Sequence, residues 1–176
     1  MIRIIYCMLV VSFSQQVFAQ CNIDKSVKDS IALISAKSEN LYKNDDLENG
    51  VKSVYGYVYV YCHQGANKYH KKIAIISGAS GDQAFVFPRS LIIVFSNSAT
   101  ITLKAVSDDM LDIKGVTAVK CYYSLSDNEW YLLKNFDITS MMIYDNRIGI
   151  TLVMHPYPGI LKEQAECITN EIGDSN

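Results

Sequence analysis

Along residues 53–63 apolar and polar character alternates with period two. Tyr55, Tyr57, Tyr59 and Tyr61 fall on one side of an extended backbone, and Val54, Gly56, Val58, Val60 and Cys62 on the other. A helix would scatter the four rings around its circumference, whereas tyrosine and valine both suit a pleated, packed surface. The pattern therefore predicts a strand with its valine side in the core. The tyrosine side has two readings. One is a half-buried second layer, packed under a helix with its hydroxyls reaching water or backbone. The other is an exposed aromatic platform for a ligand or partner.

The same reading extends to both sides of this strand. Upstream, Val27, Ile31, Ile34 and Leu41 recur near helical spacing and Asp24 can cap a first turn, so residues 24–43 are expected to be helical, with a turn at 48–50. Downstream, residues 63–67 are expected as a loop and 71–77 as a strand. Residues 78–82 are expected as a turn, and 84–87 as a short strand ended by Pro88. Residues 91–95 and 99–105 flank Ser96-Asn97-Ser98 as a hairpin whose second strand has one wet face. Residues 107–112 read as a solvated acidic connector. Residues 116–125 read as a strand with Val119, Cys121, Tyr123 and Leu125 on one face. Ser126 and Glu129 form a capping box for a short helix that turns Trp130 and Leu133 inward. A strand at 138–144, a turn at 145–147 and a partner strand precede Pro156-Tyr157-Pro158-Gly159. A last helix, 160–172, carries Leu161, Ala165, Ile168 and Ile172 as its apolar stripe.

Short turns between adjacent strands favour antiparallel pairing. The expected architecture is α+β: a bent, mainly antiparallel sheet of about seven or eight strands, with N-terminal and C-terminal helices and one short inserted helix. A β-sandwich or partial barrel with flanking helices is the alternative.

The N-terminus changes the setting. Residues 1–19 hold one charge, Arg3, then an apolar run, and close on Val17-Phe18-Ala19. That is the pattern of a secretory signal peptide, with a run too short to span a bilayer. The expectation is an exported domain over 20–176, periplasmic or extracellular, with no transmembrane segment after processing. Acylation of Cys21 as a lipoprotein is an alternative that Gln20 disfavours, because a small residue is expected there. The whole chain has 16 basic and 18 acidic residues. Losing Arg3 leaves 15 against 18, a formal charge of −3. Such a balance argues against nucleic acid, which calls for a clustered basic face. Lys68, Lys71 and Lys72 form the one basic cluster, read as a solvated hairpin end. Cys21, Cys62, Cys121 and Cys167 remain after processing. An even count in an exported chain predicts two disulfides, with Cys21–Cys62 and Cys121–Cys167 favoured among three connectivities.

Candidate chemistry is sparse. His63 and His70 flank one loop beside Cys62, which suggests a metal or a Cys–His nucleophile, but a cysteine on the core face is a poor thiolate. Dispersed cysteines without a CxxC spacing argue against zinc. Asp108, Asp109 and Asp112 do not match a calcium loop, the 78–82 turn is not a phosphate loop, and no Gly-x-Ser-x-Gly elbow occurs. No cofactor is expected. The composite expectation is a small exported binding or interaction protein, inhibitor-like in size, that takes an unknown protein or small ligand. Tyr55, Tyr57, Tyr59, Tyr61, His63 and His70 are its candidate binding residues. An exported enzyme with a dispersed site and a structural envelope protein are the alternatives. N-terminal sequencing of exported protein should return Gln20 as the first residue.

Overall fold

The computed structural model describes residues 22–28, 31–46, 52–66, 68–79, 87–113, 116–145 and 150–173. The expected signal peptide, Cys21, the turn at 48–50, and most of the turns at 78–82 and 145–147 lie outside the described residues, as do residues 84–86 of the expected short strand. Eleven strands and two helices are described. They run β1 (Ile23–Lys28), β2 (Ile31–Ala36), β3 (Glu39–Asp46), β4 (Lys52–Gln64), β5 (Tyr69–Ala79), β6 (Ser90–Phe95), β7 (Thr100–Lys104), β8 (Ser107–Ile113) and β9 (Val116–Ser124). Then come α1 (Asp127–Asn135), β10 (Ile138–Asp145), β11 (Ile150–Met154) and α2 (Ile160–Ile172).

The fold is α+β and the pairing antiparallel throughout the described ladders, but there are two sheets rather than one bent sheet. Sheet A has seven strands in the order β1-β2-β4-β5-β9-β8, with β3 also on β4. Sheet B has four, β11-β10-β6-β7. The tyrosine strand is β4, and β5 pairs with it from Val54↔Ala79 to Gln64↔Tyr69. On its other edge β4 is shared. β2 pairs with residues 61–63, and β3 with residues from Val58 back to Lys52. At the changeover the backbone N–H of Val60 donates to Gln164 Oε1 of α2 at 2.7 Å. A buried N–H without a strand partner would be costly, and a side chain takes the strand's place.

Sheet A has two different faces. Val58, Val60 and Cys62 of β4, Ile73 and Ile75 of β5, and Val119, Cys121 and Tyr123 of β9 are buried on one of them. They join Leu91, Ile93 and Phe95 of β6, Met141 and Ile143 of β10, and Leu161, Ala165 and Ile168 of α2 in one core. In β7 only Ile101 and Leu103 are buried, as its alternation predicts. The Tyr123 hydroxyl donates to the Pro88 carbonyl, and Asp145 Oδ2 accepts from Phe87 N at 2.8 Å, which ties the segment entering β6 to both sheets. The capping box forms as expected. Ser126 Oγ accepts from Glu129 N at 3.3 Å, and Glu129 Oε2 accepts from Ser126 N at 2.6 Å. Trp130 and Leu133 are buried beneath it.

Three further expectations are overturned. The predicted N-terminal helix is β1, β2 and β3, so both helices lie in the C-terminal part of the chain. Its apolar residues satisfy a strand as well: Ile34 and Ala36 are buried two apart, and pairing with β4 overrides the helical spacing. The acidic connector is β8, an edge strand whose carboxylates protect an open edge from further pairing. The favoured disulfides do not form. Each requires Cys62 or Cys121, and both sulfurs are thiols enclosed in the apolar core; no two cysteines among the described residues are bridged.

Urea titration should rank two substitutions. Leu161→Ala, which empties fully buried volume in the core, should lose about 2–5 kcal/mol. Ser126→Ala, which removes one cap, should lose about 1 kcal/mol.

Candidate ligand groove on the tyrosine face

Because α2 packs on the valine side, the tyrosine side of sheet A is left open, and its register brings distant residues into rows. Tyr57 stands opposite Ile76, Ile76 opposite Lys120, and Lys120 opposite Asp109. Tyr59 stands opposite Ala74, Ala74 opposite Tyr122, and Tyr122 opposite Ser107. Tyr61 stands opposite Lys72, and Lys72 opposite Ser124; on the β2 edge Ser35 faces Tyr61 and Leu33 faces His63. Directly paired residues project from the same face. Ala74, between Tyr59 and Tyr122 in its row, is small and fully buried. The result is a groove of about 720 Å³, walled by β1 and β2 on one side and by β8 on the other. That volume lies in the range of small-molecule sites.

The rings are organised around a cation. Lys120 Nζ lies 5.0 Å from the centre of the Tyr59 ring and 5.3 Å from that of Tyr122. Both distances are within cation–π range. Tyr61 completes the cluster, 5.9 Å from Tyr59 and 5.8 Å from Tyr122, the latter edge-on. The Tyr122 hydroxyl donates to Asp109 Oδ2 at 2.7 Å. Burial, followed by the neighbouring phenols Tyr122 and Tyr59 and by Asp109, pushes the Tyr61 hydroxyl well above the ordinary phenol range. Burial and the hydrogen bond to Asp109 do the same for Tyr122. Both remain neutral donors in the groove.

At one end of the groove His63 and His70 stack, ring centres 5.0 Å apart and planes 22° from parallel. Burial first, then Lys72 and His70, lowers the His63 pKa, because each disfavours the imidazolium. Cys62 points the other way, into the core. Burial pushes its thiol up to about 11 against a smaller opposing pull from Lys71, so it is no thiolate and offers no Cys–His nucleophile. The carboxylate lining the cleft beside the histidines, Asp127, is paired with Lys71 Nζ at 3.3 Å. Among the described residues no cluster of three or more His, Cys, Asp or Glu side chains is placed to hold a metal. His155 is turned to the Thr139 carbonyl, with Nδ1 at 3.1 Å.

Of the residues singled out from sequence, Tyr59, Tyr61 and His63 line the groove. Tyr57 is half-buried in the next row, and His70 is exposed beside His63. Tyr55 lies in β4 opposite Gly78. Sequence reasoning missed Lys120, Tyr122, Asp109 and the wall from β1 and β2. The signal for two of them was present, because Lys120 and Tyr122 alternate with the inward Val119, Cys121 and Tyr123. Comparison with family models, with curated proteins and with solved structures finds nothing that matches the chain.

The raised phenols set a direction for alkaline stability. A phenol whose pKa is higher in the folded state than in the unfolded chain contributes stability that is full below about pH 10 and is lost as pH rises toward the folded value. Near-ultraviolet titration of the native protein should therefore show late-ionising phenols, and Tyr61→Phe should remove one of them. If all tyrosines titrate in the ordinary phenol range while the protein remains folded, the packing described for Tyr61 is wrong.

Proposed function

We propose that the protein is an exported binding protein, and that the tyrosine face of sheet A is its ligand site. The observation that carries this reading is the Tyr59–Lys120–Tyr122 arrangement in an open groove. Aromatic faces there combine with a cation, a phenol and carboxylates at fixed positions. Such a surface offers large contact area at low entropic cost through the rings, and orientation through a few polar groups. Tyr61 itself is buried, and Tyr59, Lys120 and Tyr122 around it stay partly exposed, so these three are what the groove offers to a ligand. Export rests on the pattern of residues 1–19, and the binding role rests on the groove.

The test is a thermal-shift and NMR titration of the processed protein against a panel of oligosaccharides and short peptides. At least one class should bind. Tyr59→Ser combined with Tyr122→Ser should weaken that binding at least about tenfold, since each ring contact contributes about 0.5–1.5 kcal/mol beyond its area. The double variant should keep a cooperative unfolding transition. No binding from either class, or binding that survives the double substitution unchanged, would make the tyrosines a structural layer.

A further inference from the structure

Beyond the tyrosine rings the groove changes character. His63, His70 and Lys72 project from the same face at the β4–β5 hairpin end, since His63 pairs with His70 and Tyr61 with Lys72. Lys68, in the hairpin loop, lines the same cleft of about 240 Å³. Neither Lys68 nor Lys72 has an ion-pair partner among the described residues, whereas Lys71, which also lines the cleft, is held by Asp127 and lies 5.5 Å over the Trp130 ring. The loop is built tightly against the second imidazole. Gly65 N donates to Lys68 O at 2.8 Å, and a Cβ at Gly65 would stand 2.6 Å from His70 Nε2. The same Cβ would stand 2.9 Å from the Lys68 carbonyl oxygen, which is backbone and cannot swing away, so glycine suits the tight loop that lies against His70.

His63, beside the Lys72 ammonium and the His70 ring and partly buried, resists protonation, and an oxyanion at the nitrogen edges of the two stacked rings would offset that cost. We propose that His63, His70 and Lys72 form an oxyanion site, for sulfate, phosphate or carboxylate, whose occupation is coupled to proton uptake at His63. The oxyanion is either free or carried on a small ligand that extends onto the tyrosines. The site stands on its own geometry and does not require the binding role proposed for the tyrosines.

The charged and titratable groups around the pair set the sign. Lys72 from β5 and Lys68 from the loop favour the anion and oppose the imidazolium. Tyr61 on β4 is neutral, β2 presents the apolar Leu33, and β9 presents Ser124. From α1, Asp127 is spent on Lys71, and Asp24 of β1 lines the far wall of the groove. An anion therefore favours proton uptake at His63, and anion affinity rises as pH falls through the histidine range.

Sulfate is the probe, because its own charge does not change near neutrality. Calorimetric titration of the processed protein at about pH 5.5 and about pH 7.5 should give binding at least about tenfold tighter at the lower pH, with heats that depend on the buffer's ionisation enthalpy. His63→Gln together with His70→Gln should abolish the pH dependence, and Lys72→Gln should weaken binding at both values. An aryl sulfate run alongside separates the two sources. Equal affinity assigns the site to the free anion. Tighter binding that Tyr59→Ser reverses assigns it to a group on a groove ligand, and either outcome upholds the site. Absence of sulfate binding at both pH values, or binding indifferent to pH or to the double histidine substitution, overturns it. Because His63 and His70 are not core residues, the variants should unfold cooperatively as the wild type does. A wild-type sulfate result stands even if one variant fails to fold, and Tyr59→Ser with Tyr122→Ser should leave sulfate binding intact.

Discussion

A strand of thirteen residues with valines on one side and tyrosines on the other can be covered on the valine side and left open on the other. That asymmetry of β4 governs the molecule. The valine side demands a partner layer, and α2 with sheet B supplies it. The strand is also longer than either neighbour on one edge, so two strands divide that edge between them. Gln164 fills the gap at Val60 with an amide oxygen from α2. Its Nε2 is buried without a partner among the described residues, so the net gain is less than a fully paired amide would give. The contact still serves geometry. It sets α2 against the middle of β4, and so decides which face the helix occupies and which remains for a ligand.

The groove follows from that decision together with the register. Rows of directly opposed residues bring Tyr59 of β4, Ala74 of β5 and Tyr122 of β9 into line, and put Lys120 within reach of two rings. A shift of one residue in β9 would exchange Tyr122 for the inward Tyr123 and place Lys120 in the core. Burial of Val119, Cys121 and Tyr123 forbids that slip. Packing on one face therefore fixes the chemistry on the other, although the two faces share no side chains.

Much of this was written in local patterns. β4, β5, the β6–β7 hairpin, the capped α1 and the stripe of α2 are all read correctly from alternation, turn residues and capping. Local pattern failed where long-range pairing made the choice. Val27, Ile31 and Ile34 suit a helix or a strand equally, and only the pairing of β1 with β2 and of β2 with β4 settles the matter. Asp108, Asp109 and Asp112 look like a solvated loop until β9 offers an edge to pair with. The cysteine count suggested bridges, yet Cys62 and Cys121 were needed as small apolar core residues. Half the candidate site was legible, because tyrosines announce themselves by spacing. The other half was not, because nothing in residues 107–122 alone indicates that they will lie beside residues 59–63.

The insertion of β6 and β7 between β5 and β9 has a kinetic consequence. Sheet A cannot acquire its β5–β9 ladder until the chain has passed through a hairpin that belongs to the other sheet, so the central join is a non-local closure. The β6–β7 hairpin and the β4–β5 pair rest on local contacts, whereas the tyrosine groove spans both sides of that closure. High contact order of this kind slows folding and leaves strand edges exposed for longer. The groove is consequently among the last features to assemble, and until then the long, aromatic β4–β5 ribbon is the part of the chain with most to lose from meeting another copy of itself.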